Sequence, residues 1–150
     1  MSLYSVLIVI HVLSAILGLG PGFVMIYIVT KSKTMTELRH AFFIRNRVHH
    51  FVMIGGILLL VTGLWMGFLK TYLFKAGWYI VSLILYLIAL AAGPLWLKPL
   101  SEPIKNILEN HQGDDIPEEY EQYAKRLFFY ERILNTIFII IIVLMITKPF

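Results

Sequence analysis

One imidazole sits where lipid is expected. His11 lies inside the first long apolar run, and Ala15, Gly18 and Gly22 share its helical face. An ionisable group in a membrane span is costly and is a functional-site candidate by default. Counted from the outer start of the run, His11 lies about 12 Å deep at 1.5 Å per residue. Thr62 in the second run and Tyr86 in the third reach the same depth. A neutral imidazole above a row of small residues leaves room for a flat group such as a porphyrin, with the ring as ligand. The same residues also describe a buried histidine bonded to Tyr86, Thr62 or a backbone carbonyl, with the small stripe serving ordinary helix packing.

The other histidines read differently. His49 and His50 open the second run, roughly 18 Å along the membrane normal from His11 for a core about 30 Å thick. Axial ligands of one iron stand only about 4 Å apart, so neither can share an iron with His11. They read as headgroup contacts or as a second, separate site. His111 with Asp114, Asp115, Glu118 and Glu119 matches no metal-loop spacing and reads as a solvated helix start. With no cysteine in the chain, disulfides, thiolate metal sites and iron–sulfur ligation are excluded. Gly18-Leu-Gly-Pro-Gly falls inside a span rather than after a strand, so it is no nucleotide loop. No acid accompanies His11, so no hydrolytic triad forms.

The elements that must position His11 follow from composition. Of 150 residues, 59% are hydrophobic, above the ~45–50% of soluble domains. Four apolar runs, at about 3–29, 48–69, 78–97 and 127–147, are long enough to span a bilayer. The expected fold is all-α, an antiparallel four-helix transmembrane bundle forming one integral membrane domain over 1–150. No lysine or arginine precedes the first run, and it is too long for a signal-peptide core, so it is expected to remain in the mature protein. Pro21 and Pro94 are expected kinks. Thr34 and Glu37 have capping-box spacing, and Arg39, Arg45 and Arg47 around Phe42, Phe43 and Ile44 read as a short interfacial helix before the second span or equally as a charged connector. Gly56, Gly63 and Gly67 line one face of that span, and Gly63-xxx-Gly67 permits close packing. Ser82, Tyr86, Ala89 and Gly93 form the small or polar stripe of the third. Lys98, Pro99, Ser101 and Pro103 are expected to stop the third span, and a polar loop follows. Asp115 and Pro117 mark the start of the last helix.

Ten of the thirteen basic residues flank the loops after spans one and three, and only Lys70, Lys75 and Lys148 lie on the other side. The positive-inside rule then puts both termini outside and the polar loop inside. All nine acidic residues fall on or near the inner side, so the core has no clear carboxylate, with Glu131 dipping slightly below the surface. The basic residues face anionic lipid rather than nucleic acid.

His11 in an N-out first span, Gly18–Gly22 followed by Phe23, four spans and a last span ending Leu144-Met-Ile-Thr-Lys-Pro149 resemble a bacterial family. It is the family of predicted integral membrane proteins known as domain of unknown function 2269. The resemblance covers nearly the whole chain and implies a multi-pass protein of the bacterial plasma membrane. More distantly, a first-span histidine followed by glycine is similar to HemJ-type protoporphyrinogen oxidases and copper-resistance D proteins. HemJ-type proteins are four-helix membrane proteins that bind haem b through such a histidine. The similarity reaches His11 only. That family's tryptophan before Ala-Gly is replaced here by Leu17 and Gly18, its Leu-Pro-Arg is absent, and Lys75 lies outside the third span.

The leading expectation is therefore b-type haem held by His11, with Gly18, Gly22, Thr62 and Tyr86 around it. A role in membrane redox chemistry or haem handling would follow, with enzymatic activity left open. Tyr86, Met66 or His11 of a second copy would face the iron's other side. Expected partners are the lipid bilayer and either a second copy or a membrane redox partner. Two rivals stay open: a cofactor-free transport or binding protein moving on its proline kinks, and a packing subunit of a larger membrane complex.

Overall fold

The computed structural model describes residues 2–150. Six α-helices follow in order: α1 (Leu3–Leu19), α2 (Gly22–Thr30), α3 (Met35–Leu69), α4 (Gly77–Ala92), α5 (Lys98–Asn110) and α6 (Glu118–Thr147). Joined as α1–α2, α3, α4–α5 and α6, they make four segments long and apolar enough to cross a membrane. The all-α four-span bundle is thus the architecture the chain adopts. Helices suit lipid because each satisfies its own backbone polar groups.

The first segment breaks at Gly20–Pro21, the expected kink. Two other expectations are corrected. The separate interfacial helix is absent; α3 runs unbroken for 35 residues. At ~1.5 Å per residue that is ~52 Å, well beyond a ~30 Å hydrocarbon core. No proline or glycine interrupts the chain between Met35 and Phe51, so nothing ends the hydrogen-bond ladder where the sequence turns apolar. The capping box does start the helix. Thr34 Oγ1 accepts from Glu37 N at 3.2 Å, and Glu37 Oε2 accepts from Lys33 N at 2.7 Å.

Nor do Lys98, Pro99 and Pro103 stop the third segment. Gly93–Leu97 forms a wide π-helical turn in which Lys98 N–H bonds Gly93 O, five residues back. That turn absorbs Pro94, and Pro99 then falls in the first turn of α5, where its missing N–H costs least. The last helix begins at Glu118 after Pro117, and no side chain of the 111–117 loop caps it.

The bundle has two unlike ends. The loop end carries the 31–34 and 111–117 connections. The terminus end carries the start of α1, the 71–75 turn and the close of α6. The most completely buried large side chains, Val29, Met35, Leu38, Ile104 and Leu127, all belong to one cluster at the loop end. Toward the terminus end, close backbone packing runs within two pairs, α1 on α3 and α4 on α6.

Candidate functional site: the His11 cavity

The α1–α3 pair crosses at glycine. A Cβ on Gly18 would stand 2.7 Å from Gly56 N and 2.8 Å from Gly55 C, so the two backbones touch there. Two turns along α1 from this crossing, the antiparallel register brings His11 against Thr62 and Gly63. A Cβ on Gly63 would lie 3.2 Å from His11 Cε1, so the bare glycine is the seat of the imidazole.

His11 Nδ1 lies 2.8 Å from Thr62 Oγ1. The threonine hydroxyl also lies 2.7 Å from Leu58 O, the carbonyl one turn back, and its single proton is donated there. Its oxygen therefore accepts from His11 Nδ1–H. This network assigns the tautomer with a bare Nε2. That nitrogen makes no hydrogen bond among the described residues.

The opposite wall is α4, held off α3 by two tyrosine rungs. Tyr79 Oη donates to Gly63 O at 2.9 Å, and Tyr86 Oη to Gly56 O at 2.7 Å. Both pairs are spaced by seven residues, ~10.5 Å of helix. Ser82 lies between the rungs. It is 0% exposed, and its hydroxyl has no partner.

Between these walls is a cavity of about 440 Å³, bordered by all four spans. Its lining is almost wholly apolar, with Ile16, Leu83, Ile141 and Met145 among the side chains around His11 and Ser82. No lysine, arginine or carboxylate borders it. Its size falls within the ~300–1,000 Å³ of small-molecule sites.

The structure brings together three of the five residues expected at the site. His11 and Tyr86 border the cavity, and Thr62 stands behind His11 as its hydrogen-bond partner. Gly18 and Gly22 lie elsewhere. The face of Gly18 is filled by α3 backbone, and Gly22 starts α2, where its carbonyl accepts from Asn135 Nδ2 at 3.3 Å. The Gly63-xxx-Gly67 pair, expected to permit close helix packing, faces aromatic rings: Gly63 the imidazole of His11, Gly67 the rings of Phe74 and Tyr79. Met66 packs with Leu7, Leu73 and Tyr79 and does not border the cavity, whereas Met145 does. Tyr86, Ser82 and Gly63 were each legible as small or polar stripe residues, but their targets were not.

Away from the cavity, Glu131, the one carboxylate expected to dip below the surface, has a partner the sequence did not name. Glu131 pairs with Arg45 in the loop half, with side chains only 13% and 11% exposed. The guanidinium lies 5.7 Å from the Phe42 ring and 5.9 Å from Phe128. The available signal was local: Phe42 is three residues before Arg45, and Phe128 three before Glu131. His50 Nδ1 is 2.8 Å from Asn46 O of its own helix, and neither His49 nor His50 reaches the His11 cavity. No group of three His, Cys, Asp or Glu suited to a metal ion occurs among the described residues.

At the loop end, Asp114 caps α3. Its carbonyl accepts from Met35 N at 2.8 Å, and its Oδ1 accepts from Thr36 N at 2.9 Å and Thr36 Oγ1 at 2.6 Å. These Thr36 bonds hold the Asp114 carboxyl below its ordinary range. Arg39 spans back to Leu108 O at 2.8 Å and His111 O at 2.6 Å, closing the end of α5.

A four-span apolar chain with this layout can now be placed among known proteins. A family model described as a predicted integral membrane protein, DUF2269, matches residues 5–149. The chain belongs to that family. No curated protein and no solved structure matches it. For this DUF2269 member, integral multi-pass membrane character is thus shown twice, by the family and by the four spans. The match runs through His11, Thr62, Ser82 and Tyr86 alike.

Proposed function

We propose that this DUF2269 protein binds a b-type haem in the His11 cavity, with His11 Nε2 as an axial ligand. The observation that carries the reading is the Thr62–His11 bond, which leaves the opposite nitrogen bare beside an apolar space. Ligating histidines characteristically donate their other N–H to a fixed acceptor, and here Thr62 is that acceptor. The apolar lining suits the porphyrin face. No cation borders the cavity; the lysines of the terminus end, Lys70, Lys75 and Lys148, are the ones that would have to meet the haem carboxylates. The bound group would supply one-electron redox chemistry, in membrane electron transfer or haem handling. The chain itself would set the ligand, its orientation and the dryness of the site.

A second reading has one observation in its favour. The lack of any lysine or arginine in the lining suits a neutral membrane-soluble molecule that donates a hydrogen bond to His11 Nε2. The two readings separate on colour. Purified protein titrated with haem should give a Soret band that saturates near one haem per chain, and His11→Ala should lose it while keeping its helical circular dichroism. A wild-type protein that takes up no haem overturns the haem reading and leaves the neutral ligand.

A further inference from the structure

The walls of the His11 cavity are unequally covered. Its α3 and α4 residues are all buried or half-buried, whereas Val12, Ile16, Gly20, Phe23 and Ile146 border it and are also exposed. These five belong to the first segment and to α6, so the cavity reaches the surface between those two. The packing explains the gap. α1 lies on α3 and α6 on α4, and among the described residues α1 and α6 form no closely packed backbone pair. Past the break at Gly20–Pro21, α2 does meet α6, where Asn135 Nδ2 donates to Gly22 O at 3.3 Å. That contact closes the gap on its loop-end side. Val12 and Ile16 lie about 14 and about 20 Å along α1, inside a core ~30 Å thick, so the mouth opens on hydrocarbon rather than on water.

What enters by this mouth must dissolve in the bilayer. It must also be uncharged, because no lysine, arginine or carboxylate borders the cavity to pair a buried charge. The polar contact it can make is nearly single. The Tyr79 and Tyr86 hydroxyls are committed to glycine carbonyls, and Ser82 is 0% exposed, which leaves His11 as the partly exposed polar side chain of the lining. Thr62 takes the proton of Nδ1, so the imidazole offers an acceptor and its partner must bring a donor. Resting on the neutral-ligand reading, we infer that the gap between α1 and α6 is a lateral entrance from the bilayer for a neutral lipid with a hydroxyl head and a hydrocarbon tail. The hydroxyl bonds His11, and the tail leaves between Ile16 and Ile146 into the surrounding lipid.

The probe is para-octylphenol, added to the protein in phosphatidylcholine nanodiscs and followed by thermal unfolding. Wild type should melt higher in its presence and should not respond to the methyl ether of the same compound, which lacks the donor. Ile16→Trp and Ile146→Trp each fill the mouth from one side, and each should abolish the shift. Leu17→Trp, also exposed on α1 but outside the lining, should keep it. His11→Ala should lose the shift with the mouth still open. A shift that survives both mouth variants overturns the entrance and leaves the neutral-ligand reading standing. Equal shifts with the phenol and its ether, or loss of the shift in Leu17→Trp, overturn the inference as well. No shift in wild type removes the neutral-ligand reading and the inference together. The chain has no cysteine, so Ile16→Cys carries a single thiol. A disulfide-linked dimer of that variant in native membranes would give the mouth to a second copy of the chain, against the inference.

Discussion

The loop half and the terminus half of this bundle are built on opposite rules. In the loop half charged side chains hold the ends together: Arg45 has Glu131, Asp114 has Thr36, and Arg39 closes α5, with His111 Nε2 the buried atom left without a hydrogen bond. Large aliphatic and aromatic side chains fill the rest. In the terminus half two helix pairs are propped apart by tyrosines, and a cavity remains beside His11, whose one side-chain hydrogen bond is through Nδ1, and beside Ser82, whose Oγ is buried without a partner. Fully satisfied polar networks rigidify a core, whereas unsatisfied ones carry a cost that a ligand can offset. The loop half is thus filled by side chains, and the terminus half keeps an apolar cavity.

Breaking the ion pair should produce the largest loss and should leave the cavity alone. Glu131→Ala strands a buried guanidinium and is expected to cost about 3–5 kcal/mol. Thermal unfolding in detergent measures it, and below the melting temperature haem uptake should match wild type. Loss of haem binding in the folded variant would erase the division into halves. Next in size is the helix crossing. Gly18→Val pushes a side chain into the backbone at Gly55–Gly56. A cost of about 1–3 kcal/mol is expected from overpacking, and haem binding should weaken with it because His11 rides on the same helix pair.

Thr62→Val sharpens the comparison in the other direction. It removes the acceptor that orients His11, and haem affinity should fall about 10–100-fold with little change in melting temperature. Equal affinity in the variant would mean that Thr62 does not orient the ring. The smallest effect is the pH response of the loop end. Asp114 has its carboxyl lowered from 3.8 in the folded chain, so its contribution is present above that pH and lost as pH falls through the lower folded value. Protection factors for amide exchange at Met35 and Thr36, corrected for the intrinsic pH dependence, should fall on acidification through that window, while amides beside the cavity should not respond to Asp114→Asn.

Hydropathy made the four spans legible because lipid selects composition over ~20 residues at a time. It did not show that α3 passes straight through the polar–apolar boundary near Val48, since backbone hydrogen bonds ignore that boundary. Prolines at 94, 99 and 103 read as a stop because each lacks a donor, but the π-helical turn that takes up Pro94 leaves no residue signature, Pro99 falls in the first turn of α5, and Pro103 lies within it. Depth counting matched His11 with Thr62 correctly because antiparallel helices share one rise per residue. The same counting could not tell that Tyr86 reaches Gly56 O rather than the imidazole. Gly18 was misread because a bare helix face looks alike whether backbone or a ligand fills it. Arg45 and Glu131 are 86 residues apart, and nothing in either segment names the other.

The central claim is that His11 Nε2 is the anchor of the bound group. The most direct test is a haem titration of His11→Gly, with and without added imidazole, followed by absorbance. The account predicts no Soret band in the variant alone and its return when free imidazole enters the space left by the side chain. Haem binding by His11→Gly without imidazole, with wild-type affinity and spectrum, would contradict it.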